Sequence, residues 1–127
     1  MAEGETLMIL GLHHAQITVP EGSEDDARAF YCGVLRLKEA PKPEALAGRG
    51  GFWLQVGSQQ VHVGTEAGVD RVATKAHLAY EVRDLMHWRQ VLQQQSIAML
   101  ESVPIPGYDR FEFRDPWGNR VELIQVL

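Results

Sequence analysis

The sequence predicts an α+β chain in which one βαβββ unit is written twice, and three observations carry that expectation. Residues 14–19, HAQITV, and 77–82, HLAYEV, each open on a histidine, alternate in polarity and end on a valine. Each is followed by a stretch with apolar residues at helical spacing. Three short alternating segments follow each of those stretches, the last two joined by a turn signal. At 127 residues the chain suits one domain with a real core rather than two of ordinary size. The expected organisation is a single domain over 1–127, with module one at about 9–65 and module two at about 74–127.

In module one, Ser23 stands where it would cap a helix running through EDDARAFYCGVLRL, with acids in its first turn. Ala27, Phe30, Tyr31, Val34 and Leu35 fall on one face of that helix. Strands are expected around 37–40, 50–56 and 59–64, the last two joined at Gly57-Ser58. The connector, 65–74, contains Gly, Asp and Thr and reads as exposed. In module two, Asp84 would cap LMHWRQVLQQQ, with Leu85, Trp88, Val91 and Leu92 on one face. Strands are expected around 98–102, 109–114 and 120–126. The turn between the last two is Asp115-Pro116-Trp117-Gly118-Asn119, a strong breaker sequence.

Composition narrows the function classes. An apolar share of 45% and a charged share of 23% are those of an ordinary folded protein. A net charge of -5 with no basic cluster argues against a phosphate backbone as ligand, so nucleic acid is not an expected partner. The opening MAEGETLMILGLHH places two acids before a short apolar run and lacks the basic start and small-residue cleavage site of a secretory signal. No stretch approaches the roughly 20 apolar residues that span a bilayer. A cytoplasmic protein without membrane contact is expected. The single cysteine, Cys32, rules out an internal disulfide and a cysteine-based zinc site within one chain, and is expected as a small buried hydrophobe.

Strand parity states where the polar residues point, because successive side chains leave a strand on opposite faces. Ala15, Ile17 and Val19 face the helix, leaving His14, Gln16 and Thr18 on the other side. Leu78, Tyr80 and Val82 likewise leave His77, Ala79 and Glu81 opposite. Val61 and Val63 oppose His62, and Val121 and Leu123 oppose Glu122. The repeat equates His14 with His77 and His62 with Glu122, so a curved pair of sheets would bring these four to one trough. Two histidines and a carboxylate with positions left open are a recognised ligand set for manganese, nickel, zinc or iron.

The sequence resembles the vicinal oxygen chelate superfamily, the glyoxalase/bleomycin-resistance/dioxygenase proteins, across about 115 residues. The resemblance rests on HAQITV, ARAFYCGVLRL, GGFWLQV, VHVG, HLAYEV with Asp84, and above all FEFRDPWGNRVELIQ. It implies a glyoxalase-type fold of paired βαβββ modules, a divalent metal in the trough between them and a homodimer. Carried over residue by residue, the ligand positions fall on His14, His77 and Glu122. In the glyoxalase I branch a fourth ligand, usually a carboxylate, comes from the last strand of module one, where this chain has His62. His62 is therefore a candidate fourth ligand, base or hydrogen-bond donor, while His13 and His87 are expected to be structural or exposed.

The chemistry implied is chelation of two neighbouring substrate oxygens by the metal, which stabilises negative charge developing on them. Glu122 and His62 are the candidates for proton transfer. For substrate binding, Trp53 shares a parity with Gln55 and would wall the trough, Arg110 would anchor an anionic group, and Tyr108 sits in the Pro-Gly loop just before it. The leading expectation is a glyoxalase-like lyase or transferase acting on a small metabolite or toxic compound. An extradiol-type dioxygenase has the same ligand set, and a metal-free drug-sequestering resistance protein is the alternative from a different class. Fosfomycin-type thiol transfer ranks below these, because Arg110 and Arg120 are the only obvious basic residues for a phosphonate near the last strands.

Overall fold

The alternation in the sequence resolves into two four-stranded sheets of matching topology, seen in a computed structural model that describes residues 7–127. The acidic start, Glu3 and Glu5, lies outside the described residues. Module one contains β1 (His14–Val19), α1 (Glu24–Arg28), β2 (Lys38–Ala40), β3 (Phe52–Val56) and β4 (Gln59–Thr65). Module two contains β5 (His77–Glu81), α2 (Leu85–Gln94), β6 (Met99–Glu101), β7 (Tyr108–Arg114) and β8 (Arg120–Val126). The strand orders are β1-β4-β3-β2 and β5-β8-β7-β6. In each sheet the first strand joins the last in parallel and the remaining pairs are antiparallel. Among the described residues no helix is long and apolar enough to cross a membrane.

The inner faces and the helices share one core. Phe30, Tyr31, Leu54 and Val63 of module one are buried in the same cluster as Leu92, Phe111, Phe113 and Leu123 of module two. The first helix reaches across the modules: the Phe30 ring lies 6.3 Å from that of Phe113, and the Tyr31 hydroxyl donates to Asp115 Oδ2 at 2.6 Å. Cys32 is half-buried against this core.

Several expectations change in detail. The first helix is not α-helical throughout. After Arg28 it widens into a π-helical turn, Ala29–Val34, closed by a hydrogen bond from Leu35 N to Phe30 O at 3.0 Å. Phe30, Tyr31 and Leu35 all stay buried through this turn. Ser23 occupies the cap position without a side-chain cap bond, whereas the Asp84 side chain does accept from His87 N at 3.2 Å. β3 starts at Phe52 rather than residue 50, since Gly50 and Gly51 take φ of 73° and 77°. A Cβ on Gly51 would fall 2.3 Å from the Val63 carbonyl oxygen, so that close approach requires glycine. A 3-10 turn, Glu44–Arg49, precedes it where no regular element was expected.

The connector is not simply exposed. Arg71 within it is 6% exposed, and its guanidinium donates to Thr18 O at 2.7 Å, Glu66 O at 2.9 Å and Thr18 Oγ1 at 3.2 Å. It ties the link to the end of β1, a role that a polar composition conceals. Tyr108 opens β7 instead of sitting in the loop before it.

Two buried tyrosines make the fold alkali-sensitive. Burial raises the hydroxyls of both Tyr31 and Tyr80 above the usual tyrosine range, and the carboxylate of Asp115 adds to it. Unfolded tyrosine ionises near about pH 10, so above that pH the unfolded chain sheds protons the folded chain keeps, and stability must fall as pH rises. Urea denaturation between about pH 8 and about pH 11 should show that decline. Tyr31→Phe should be less stable at the lower pH and lose less across the interval; an unchanged slope would contradict the assignment.

Candidate metal centre

β5 and β8 lie side by side with Ala79 opposite Glu122 and His77 opposite Arg120, while β7 sets Glu112 directly across from Glu122. All the polar side chains of this register leave the sheet on the face away from the core. The Glu122 side chain is only 6% exposed, and its Oε1 accepts from Arg110 Nη1 at 3.2 Å and lies 3.1 Å from His77 Nε2. His77 Nδ1 lies 2.9 Å from the Lys75 carbonyl oxygen. A carbonyl only accepts, so Nδ1 carries the hydrogen and Nε2 is the nitrogen presented to Glu122.

Glu112 completes a group: ligand atoms of His77, Glu112 and Glu122 all lie within 4.8 Å of one another. Arg120 Nε donates to Glu112 Oε2, and this bond holds the Glu112 carboxyl below its ordinary range and raises the guanidinium in turn. Two ligands at right angles on a cation, each about 2.1 Å from it, stand roughly 3 Å apart. The His77–Glu122 separation of 3.1 Å matches that spacing. With Nδ1 oriented by a backbone carbonyl, as in most metal-bound histidines, the donor set fits a divalent cation.

The other expected residues form a second group on module one. Trp53 of β3 is directly opposite His62 of β4, and β1 pairs His14 with Gln60, two residues from His62. The rings of Trp53 and His62 stack at 4.0 Å and 2°, and those of His62 and His14 at 4.1 Å and 17°. His14 Nδ1 is 3.0 Å from His13 Nδ1, although the two residues leave the chain on opposite sides. His62 Nε2 is 3.0 Å from Gln60 Oε1. Burial, then the neighbouring His14, His13 and Lys42, hold His62 below the ordinary histidine range. His14 and His77 both border a cleft of about 280 Å³ between the modules. Among the described residues, however, neither His14 nor His62 joins the cluster on module two.

Of the residues expected to bind substrate, Trp53 stands in the aromatic column and Tyr108 is exposed at the start of β7. Arg110 directs Nε and Nη2 to the Val103 carbonyl oxygen and Nη1 to Glu122. Glu112 and Arg120 are the site residues to which the sequence assigned no ligand role. The sequence signal for Glu112 was its shared parity with Arg110.

The sequence model of the Glyoxalase/Bleomycin resistance protein/Dioxygenase superfamily matches residues 11–123. The chain belongs to this superfamily. Among solved structures, this superfamily member is similar to a glyoxalase family protein from Bacillus anthracis, with 38% identity over 94% of this chain and 98% of that one, at a TM-score of 0.87. Its fold is also that of the fosfomycin resistance protein FosX from Listeria monocytogenes, crystallised with Mn(II) and sulfate (16% identity, 94% and 93% coverage, TM-score 0.74). Lactoylglutathione lyase from Agrobacterium tumefaciens shares the fold at 18% identity, 92% and 94% coverage and a TM-score of 0.69. No curated protein matches the superfamily member.

Proposed function

We propose that this protein is a metal-dependent, glyoxalase-like enzyme of lyase or transferase type that acts on a small metabolite or toxic compound bearing neighbouring oxygens. His14, His77 and Glu122 are its metal ligands. The observation that carries this reading is the buried Glu122 carboxylate with His77 Nε2 3.1 Å away and His77 Nδ1 turned to a backbone carbonyl. Imidazole and carboxylate donors suit manganese, nickel, zinc or iron. A bound cation supplies Lewis acidity toward the substrate oxygens.

The chain's own residues then have distinct work. Arg110 neutralises and fixes Glu122 from the side, and Arg120 does the same for Glu112. Glu122 Oε1 takes the contacts from Arg110 and His77, which leaves Oε2 as the atom placed to exchange a proton with substrate. Because His14 stands apart from the module-two cluster, we assign completion of the site to a second copy, whose His14 meets His77 and Glu122. The exposed apolar run Leu7, Met8, Ile9, Leu10 and Leu12, immediately before His14, supports a homodimer contact there.

Metal analysis of untagged protein should find one divalent ion per complete site. Co-refolding His14→Ala with Glu122→Ala tests the assembly. If sites form across two chains, half of the dimers are mixed and each has one intact site, so about one quarter of wild-type metal binding returns. A site closed within one chain would recover none. Wild-type protein that takes up no manganese, nickel, zinc or iron would overturn the reading.

A further inference from the structure

We infer that His62 is a positioning residue, an aromatic spacer that fixes the ring plane of His14, and that it is not itself a metal ligand. The inference rests on the metal-site reading above for its functional meaning, but the geometry belongs to the strands. Trp53, His62 and His14 come from three adjacent strands, β3, β4 and β1, and their rings form one continuous column. The Trp53–His62 pair is directly cross-strand, and His62–His14 is its diagonal continuation.

An imidazole lone pair lies in the plane of its ring. Two rings 17° from parallel and 4.1 Å apart therefore send their lone pairs in nearly parallel planes, which do not converge on one ion about 2.1 Å from each nitrogen. His62 and His14 cannot share a cation in this arrangement without breaking the stack. One nitrogen of His62 is engaged within its own strand, where Nε2 meets Gln60 Oε1 at 3.0 Å. What the column does accomplish is restraint. His14 is exposed on an edge strand, where an isolated ring would sample several rotamers. Stacking against a half-buried ring backed by Trp53 leaves it one plane, and the contact with His13 Nδ1 selects which His14 nitrogen stays free.

Calorimetric titration with Mn(II) separates a plate from a ligand by comparing wild type, His62→Phe and His62→Ala. Phenylalanine keeps a flat ring and has no donor atom. His62→Phe should bind Mn(II) within about threefold of wild type, whereas His62→Ala should weaken binding about 10- to 100-fold, the range for losing a residue that orients a ligand. Equal, large losses in both would make His62 a ligand and overturn the inference; unchanged affinity in both would overturn it as well. Imidazole NMR of the protein without metal reads the column independently. The His62 ring protons should lie upfield in wild type and move downfield in Trp53→Leu; His14 should lose its restraint in His62→Ala alone. If wild type binds no Mn(II) while these ring shifts persist, the metal reading fails and the stack stands. If Mn(II) binds and the shifts are missing, the inference fails and the metal reading stands.

Discussion

Asp115→Ala is expected to cost about 3–5 kcal/mol, a large part of the roughly 5–15 kcal/mol that holds a domain of this size. Asp115 is 4% exposed and serves two structures at once. Its Oδ1 accepts from Trp117 N at 3.0 Å and Asn119 N at 2.8 Å, which shapes the turn into β8. Its Oδ2 accepts from Asn119 Nδ2 at 2.9 Å and from the Tyr31 hydroxyl at 2.6 Å, which joins the first helix to module two. Asn119 Nδ2 also donates to Thr18 O at 2.9 Å, so the turn is tied to β1 as well. Alanine would leave a buried hydroxyl and several amide donors without an acceptor, and each hydrogen bond to a charged group contributes about 1.5–3 kcal/mol. Tyr31→Phe removes one donor and leaves no buried acceptor uncompensated, so its cost should be about 1.5–3 kcal/mol, that of one bond to a charged group. Urea denaturation with an unchanged slope gives both values. An Asp115→Ala cost no larger than that of Tyr31→Phe would show that the turn, and not the carboxylate, bears the load.

Strand parity made most of this architecture legible. A period of two needs only four or five residues to show itself, and it placed His14, His62, His77 and Glu122 on the outer face before any contact was known. The pairing partners were harder. That Glu112 stands across from Glu122, and Trp53 across from His62, depends on register, which the Gly57 and Asp115–Asn119 turns set but a sequence does not print. The π-helical turn at Ala29–Val34 was illegible for a different reason: one inserted residue shifts the helical phase by an amount that scattered apolar positions absorb. Arg71 was read as part of a solvated link because its partners, Thr18 O and Glu66 O, are backbone atoms without any side-chain signature. The separation of the His14–His62 group from the His77–Glu112–Glu122 group had no local signal at all, since it depends on how whole modules are arranged.

Glu122→Ala is expected to weaken Mn(II) binding by more than about 100-fold, beyond the 10- to 100-fold range of residues that only orient a ligand. The carboxylate touches both His77 and Arg110, so its loss also leaves a guanidinium 17% exposed without its acid. Stability would then fall for a reason unrelated to metal. Glu122→Gln separates the two effects: the amide oxygen still accepts from Arg110 while the negative charge is gone. Near-native melting with a similarly large loss of Mn(II) affinity is the expected outcome. Glu112 supplies the comparison, because it lies in the same cluster and is just as buried, yet Arg120 holds it by a close hydrogen bond. Arg120 holds Glu112 by a shorter hydrogen bond, 2.5 Å, than the 3.2 Å from Arg110 to Glu122, so Glu112 is expected to be the poorer ligand and Glu112→Gln should weaken Mn(II) binding by only about 10-fold, the lower end for an outer partner. Calorimetry on the two glutamine variants decides between the carboxylates. The opposite order would transfer the ligand role to Glu112 and leave Glu122 as the structural anchor of Arg110.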